Sequence, residues 1–243
     1  MDLLNTDPRL VRYQKLRDDF VLKIAHQEWR AGEAIPGQEE LAKSYGIAVG
    51  TVRKAIDLLV AEGLLDRIQG RGTFVRRASF DGSLFRFFRF QEKSGPRRIP
   101  TSRILVRETV EAPAAVCSTL QMHNRSKAIH MLRLRSIDQE PVLIEDIWLP
   151  WDKFRSFATL EIDRIGDLLY PAYEEFCGQI VASASETLTV AVANAHDARH
   201  LRFAPGTPVV VIERIARGYD RAPLEWRCSR GPATHFSYHV EIR

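Results

Sequence analysis

The stretch EELAKSYGIAVGTVRKAIDLLVAEGLLDRIQGRGTFV, Glu39–Val75, holds two helical patterns, a tight break and a glycine-bracketed turn. Leu41, Ala42 and Tyr45 form the apolar face of a short helix that ends at Gly46. Ile47 and Val49 sit in a turn of three to four residues. Val52, Ala55, Ile56, Leu59 and Val60 then recur at three- and four-residue steps, which predicts a longer amphipathic helix closed by Gly63. Two short helices joined by a tight glycine-containing turn make a helix-turn-helix. Directly after it the period changes to two. Leu65–Ile68 and Thr73–Val75 read as strands, with a tip at Gln69-Gly70-Arg71-Gly72. A β-hairpin placed there is a wing.

Upstream, Asp7-Pro8 is a helix-start signal, an N-cap residue followed by a proline whose missing N–H costs nothing there. Leu10, Tyr13, Leu16, Phe20 and Ile24 continue at helical spacing, and the helix should stop in RAGEAIPG, residues 30–37. Downstream, RRASFDGS (residues 76–83) has no apolar periodicity and marks a linker. Beyond it the predicted strands are LFRFFRF, TSRILVRETV, AIHMLRLRSI, PVLIEDIWL, QIVASASETLTVAV, PVVVIERIAR, LEWRCSR and HFSYHVEI. Helical stretches are APAAVCSTL, IGDLLYPAYEEFC and NAHDARHLR. Hairpin signals between the later strands indicate an α+β domain around an antiparallel sheet. The expected division is therefore 8–76, a linker at 77–83, and 84–243.

The totals fit such a plan. A chain of 243 residues, 45% apolar, can bury the cores of two modest domains. Its net charge of +4 permits a nucleic-acid partner without requiring one, because polyanion affinity follows local clustering. Lys and Arg exceed Asp and Glu by 13 to 11 up to residue 78 and by 22 to 20 after it, so neither part is a basic tail. Cys117, Cys177 and Cys228 show neither CxxC nor zinc spacing and read as free thiols. The amino terminus carries early acids and no apolar signal-peptide core, and no apolar run approaches membrane-span length. A soluble, cytoplasmic protein that makes no use of the membrane is the expectation.

Glu39–Val75 resembles the winged-helix DNA-binding domain of GntR-type bacterial transcription regulators. The remainder is similar to the UTRA effector-binding domain of the HutC branch, through MLRLRSIDQEPVLIEDIWLP (131–150) and PGTPVVVIERIARGYDRAPLEW (205–226). The likeness runs from about residue 10 to the end of the chain. It implies a homodimeric regulator, without cofactor, that binds a near-palindromic double-stranded operator and answers to a small molecule. The UTRA fold it implies is like that of chorismate lyase. Two motifs depart from the commonest form of the family. Gly37-Gln38-Glu39 stands where Ser-Glu-Arg is usual, and Val49-Gly50-Thr51 where Arg-Thr-Thr is frequent, which implies an operator unlike the usual consensus.

A recognition helix lies in the major groove with its N-terminal residues at base edges. Thr51, Arg53, Lys54 and Asp57 fall off the apolar stripe of that helix. Arg53 is placed for a bidentate contact to guanine, Thr51 and the Gly50 amide for a phosphate oxygen, and Lys54 for another phosphate. Gln38 is a further candidate from the preceding helix. At the wing, Arg71 between two glycines can enter a narrow minor groove, with Gly72 allowing close backbone approach and Arg67 flanking it. A nucleotide-phosphate loop is the rival reading of QGRG. Such a loop precedes a helix, whereas a strand follows here.

In MLRLRS, alternation puts Arg133 and Arg135 on one face of a strand. A three-residue loop at Asp138-Gln139-Glu140 would set Arg133 opposite Glu145, and a two-residue loop at Gln139-Glu140 would set it opposite Asp146. The resemblance favours Glu145, because the matching arginines and glutamate line the UTRA ligand pocket. It adds Glu225 as a second acidic pocket residue and Arg89 (or, less well placed, Arg86) at the pocket mouth. Leu168 replaces a serine common before the middle helix, and Pro232-Ala233-Thr234-His235 replaces an Arg-x-Asp-Arg cluster, so a small carboxylate is favoured over a phosphorylated metabolite as the anionic effector.

Other classes fit less well. A chorismate-lyase-like enzyme acting on a carboxylate would need chemistry beyond arginines and a glutamate, and no nucleophile–base pair, metal set or cofactor loop stands out. His196 and His200, four apart on a helix, lack a third ligand. A nucleoid-type architectural protein would carry stronger positive charge.

Overall fold

The computed structural model describes residues 12–77 and 100–236. The chain divides into two compact units, Met1–Ala78 with Gly218–Arg221, and Ser79–Arg217 with Ala222–Arg243. Arg89, the strand expected at 84–90, all but residue 77 of the expected linker and most of HFSYHVEI lie outside the described residues.

In the first unit, α1 (Arg12–Ala25), α2 (Gln38–Tyr45) and α3 (Val49–Ala61) precede the antiparallel pair β1 (Leu65–Ile68) and β2 (Gly72–Val75). α3 packs against both α1 and α2. Most of the periodic positions are buried, Leu16, Phe20 and Ile24, then Leu41 and Ala42, then Val52, Ala55, Ile56 and Leu59, while Tyr13, Tyr45 and Val60 are half-buried and Val21, outside the pattern, is buried. Burial of each large apolar side chain contributes about 1.5–3 kcal/mol. Gly46 ends α2 at φ +63°, with its N–H donating to the Ala42 and Lys43 carbonyls, a left-handed cap that glycine adopts without a Cβ clash.

Three local expectations change. α1 stops at Ala25, ahead of the RAGEAIPG segment; Gln27 turns left-handed at φ +60°, and Trp29 folds back with its ring 4.9 Å from Phe20. Val49 is the first residue of α3 and lies outside the turn. Gly72 already pairs with Ile68, so the wing tip is three residues, and Ala34 bridges Phe74 to lay a third extended segment beside β2.

Among the described residues, the second unit holds a six-stranded antiparallel sheet in the order β3-β4-β5-β8-β7-β6. Its strands are β3 (Thr101–Glu111), β4 (Lys127–Ile137), β5 (Glu140–Pro150), β6 (Ser183–Val192), β7 (Pro208–Arg217) and β8 (Pro223–Pro232). The described α-helices that accompany them are α4 (Ala114–Thr119), α5 (Trp151–Thr159), α6 (Leu169–Cys177) and α7 (Ala195–Leu201). On one face Ile129, Met131, Ile147 and Leu149 pack with Phe154 and Phe157 of α5 and Tyr173 of α6. On the other, Leu134 and Ile144 pack with Leu201 of α7, while Ala128 and Trp148 meet Val116 and Cys117 of α4.

The β4–β5 hairpin decides the register of the arginine strand. Its turn is two residues, Asp138 and Gln139, both left-handed at φ +49° and +67°. It is neither of the two loops expected from the sequence. The added residue comes from a bulge: Ser136 pairs with Pro141, but Arg135 pairs with Leu143. The bulge restores Arg133 opposite Glu145. α5 escaped the sequence reading because Pro150 offers no capping side chain and Phe154 breaks the helix at φ −123°.

Candidate functional sites

The first candidate surface is α3 with the β1–β2 wing. Gly50, Arg53 and Lys54 of α3 and Arg67, Arg71 and Gly72 of the wing are exposed, while Gln38 and Thr51 are half-buried. The N-cap of α3 is Ala48, which supplies no side-chain acceptor to the first-turn amides. The amides at that end of a thirteen-residue helix keep their affinity for an external anion. Arg53 Nε donates to Gln38 Oε1 at 3.3 Å, which joins α2 to α3 on this surface. Arg67 Nη2 donates to Asp57 Oδ1 at 2.7 Å, which joins the wing to α3. Lys54 Nζ lies 5.9 Å from the centre of the Tyr13 ring. At the tip, Gly70 and Gly72 take φ +74° and +120°, the latter open to glycine alone, and Arg71 sits 5.7 Å from the Phe74 ring.

The second candidate site is a stripe of buried charge across the face of the sheet that α5 and α6 cover. Arg133 Nε donates to Glu145 Oε2 at 2.6 Å. Glu145 Oε1 also accepts from Arg227 Nη1 and Ser229 Oγ, both at 3.4 Å. Arg227 Nη2 donates to Glu225 Oε2 at 2.6 Å, and the same carboxylate accepts from Tyr173 at 2.7 Å and Tyr170 at 3.3 Å. Arg214 Nη1 donates to the Tyr170 hydroxyl at 3.1 Å and Arg214 Nε to Glu186 at 2.8 Å. Arg135 Nη2 donates to the Pro100 carbonyl at 2.8 Å. Arg133, Arg135, Arg214 and Arg227 are each at most 3% exposed, and Glu145 and Glu225 are fully buried.

The electrostatics follow from that burial. Desolvation alone would raise the Glu145 carboxyl, but the charges of Arg133, Arg227 and Arg135 pull it down to about 2. Desolvation and the neighbouring Arg133 lower the Arg135 guanidinium to about 10. Burial, reinforced by the Glu225 charge, pushes Tyr170 up to about 12 and Tyr173 well above its ordinary value, so both phenols remain protonated donors. Four buried guanidinium groups face two buried carboxylates and the half-buried Glu186, so this face carries positive excess. Arg133 Nη1 and Arg227 Nε are buried without a hydrogen-bond acceptor among the described residues.

The structure thus places Arg133, Arg135, Glu145 and Glu225 on one face, with Glu145 and Glu225 joined through Arg227. Arg227, Ser229, Arg214, Tyr170 and Tyr173 were missed. Alternation in LEWRCS carries a signal for the first two, since Glu225, Arg227 and Ser229 are two apart on β8. The tyrosines come from α6 and had no local signal.

A winged helix-turn-helix in one unit and a sheet with a buried cationic stripe in the other define a class: a DNA-binding regulator with a ligand-binding module. Residues 12–75 match the family described as "Bacterial regulatory proteins, gntR family", and residues 97–237 match "UTRA domain". The chain belongs to the GntR family of transcriptional regulators, in the group that carries a UTRA domain. It is 29% identical over 211 residues to the "Probable fructoselysine utilization operon transcriptional repressor" of Escherichia coli (strain K12), covering 87% of this chain and 84% of that one. It is 26% identical over 239 residues to the HTH-type transcriptional repressor NagR of Bacillus subtilis (strain 168), covering 96% and 97%. Among solved structures, the ligand-binding domain of a protein described as a GntR-family transcriptional regulator from Bordetella bronchiseptica aligns with TM-score 0.55 and 29% identity, covering 59% of this chain and 92% of that one.

The protein is a DNA-binding transcriptional regulator of the repressor type, not an enzyme. Its winged helix binds DNA and its UTRA domain takes a small-molecule effector. No helix among the described residues is long and apolar enough to cross a membrane.

Proposed function

We propose that the chain is a cytoplasmic homodimeric repressor whose affinity for a near-palindromic operator is modulated by a small anionic metabolite. Residues 8–76 would form the DNA-binding domain, 77–83 the linker and 84–243 the effector-binding domain. Arg53 reads a guanine in the major groove, oriented by Gln38, while Thr51, the Gly50 amide and Lys54 hold phosphates. Arg71 enters the minor groove from the glycine-built tip, with Gly72 giving the backbone room to approach and Arg67 beside the phosphates. Two copies of this surface across a two-fold axis read two half-sites.

The observation that carries the effector reading is the pair of buried, unmatched donors, Arg133 Nη1 and Arg227 Nε, on a face with excess positive charge. Buried donors without acceptors are costly, and an anion that accepts from them recovers that cost. Both glutamates already accept hydrogen bonds from arginine, so Glu145 and Glu225 organise the arginines rather than offer themselves to a cationic ligand. A compact carboxylate suits this arrangement, in line with Leu168 at the N-cap of α6, where a serine hydroxyl would otherwise serve a phosphate. By linkage, an effector that binds the operator-free form more tightly weakens operator binding by the same factor.

The test is an operator titration by fluorescence anisotropy, with and without the small carboxylates that raise the melting temperature. Arg133→Ala should bind operator with unchanged affinity and no longer release it. Arg135→Gln, which leaves the Glu145 pair intact, should weaken release as well. Release of both variants at the wild-type effector concentration would refute the site.

A further inference from the structure

The other face of the sheet holds a separate opening. Between α7 and strands β4, β5 and β8 lies a cavity of about 280 Å³, near the lower end of the roughly 300–1,000 Å³ of typical small-ligand pockets. Leu132 and Ile144 make its apolar floor, Asp146 and Arg230 its walls, and Asn194, His196 and Asp197 close it from above. By strand alternation these β residues point away from the arginine stripe: Leu132 is adjacent to Arg133, Ile144 and Asp146 flank Glu145, and Arg230 follows Ser229.

Asp197 is the anomaly. It is 2% exposed and lines the cavity, yet its carboxylate accepts no hydrogen bond among the described residues. The nearest cationic atoms, Arg230 Nε and His196 Nδ1, both stand 3.9 Å away, beyond hydrogen-bond reach. A buried carboxylate held at that distance calls for a donor from outside the fold. Asp146 faces the same space and has one oxygen bound by His130 Nε2 at 3.0 Å, which leaves the other oxygen able to accept. Asn194 spends its carbonyl oxygen on the Asp197 amide at 2.8 Å, so its NH₂ remains to donate.

Charge balance narrows the ligand. A simple anion would meet two carboxylates, and a simple cation would meet Arg230. A molecule bearing an ammonium and a carboxylate a few bonds apart satisfies both. We propose that this cavity binds a free α-amino acid, with its ammonium between Asp197 and Asp146, its carboxylate toward Arg230 and Asn194, and its side chain over Leu132 and Ile144. It would be a second ligand input, on the opposite face from the anionic effector, and it does not depend on that reading.

The experiment screens the twenty L-amino acids singly against the full-length protein by thermal shift, then measures the best by titration calorimetry. At least one should raise the melting temperature and bind stoichiometrically. Asp197→Asn and Arg230→Gln should each weaken it more than tenfold. Arg230 is one-third exposed, so its variant is not expected to disturb folding and serves should Asp197→Asn fold poorly. The decarboxylated amine and the deaminated acid of the same compound should bind at least tenfold more weakly than the amino acid. The proposal fails if no amino acid binds, if affinity survives Arg230→Gln, or if the amine alone binds as well.

Discussion

The two units use arginine in opposite ways. Around α3 and the wing, Arg53, Arg67 and Arg71 stand in solvent, each touching at most one protein group. Across the sheet, Arg133, Arg135, Arg214 and Arg227 are buried and tied to carboxylates, phenols and a carbonyl. A solvated guanidinium costs little to hold, and in the proposed DNA-binding role its contribution would appear on DNA and be screened by salt. A buried one has lost its hydration and depends on every partner, so its contribution appears in folding and is set by pH and ligand. The same side chain is an adjustable contact in one unit and a fixed part of the architecture in the other.

The largest test of that contrast is Glu145→Gln. It leaves Arg133 and Arg227 buried with their shared counter-charge gone, and removing one partner of a buried pair costs about 3–5 kcal/mol. Urea unfolding followed by tryptophan emission suits the measurement, because Trp148, Trp151 and Trp226 all belong to the sheet unit and Trp29 alone to the helical one. The pH dependence has a definite sign. The carboxyl titrates at about 2 in the folded protein against an ordinary value of 4.5, so its stabilisation is fully present above 4.5 and drains away as the pH falls toward 2. By linkage that amounts to a contribution on the order of 3 kcal/mol at neutral pH. Wild type should therefore lose stability steeply over that window and Glu145→Gln much less. Asp66 in the helical unit is also lowered by its hydrogen bond to Arg76, but it is exposed and should add no comparable slope. A variant within about 1 kcal/mol of wild type would erase the distinction between the units.

Arg53→Ala reverses the pattern: stability should hold within about 0.5 kcal/mol, as for exposed surface changes. Discrimination between operator and random DNA should fall by about 1–3 kcal/mol, the value of one good bidentate base contact. Competition gel shifts at fixed salt report it. An unchanged specificity ratio would show that Arg53 contacts only the backbone.

How much of this was legible in the sequence depended on how far apart the partners lie. The helix-turn-helix core was readable because Val52, Ala55, Ile56 and Leu59 repeat within one helix. The Arg133–Glu145 pair was readable as one of two registers, yet for an incomplete reason. A bulge after Arg135 adds a residue just as a longer loop would, and hydrophobic alternation cannot tell them apart. Alternation sets Arg227 on the same face of β8 as Glu225, but its bridging role exists only once Glu145 of β5 and Tyr170 of α6 surround it. The end of α1 was misplaced because a ring contact between Trp29 and Phe20, not a glycine or proline, turns the chain.

The smallest expected effect concerns the link between wing and recognition helix. The Arg67–Asp57 pair is about half-exposed on both sides, at 46% and 50%, so it should contribute no more than about 1 kcal/mol. Asp57→Asn should therefore shift the unfolding midpoint barely at all. On DNA the two charges have different consequences. Asp57 places a negative charge on the face of α3 that carries Arg53, and it neutralises Arg67 at short range. Replacing it with the neutral amide releases one cation to the phosphates. Affinity for operator and random DNA alike should rise a few-fold, and the salt dependence should steepen by about one counterion. If affinity falls instead, Asp57 is holding Arg67 in its DNA-contacting pose. The helical unit would then contain one charge pair that fixes geometry as the buried pairs of the sheet do, and exposure alone would not separate the two uses of arginine.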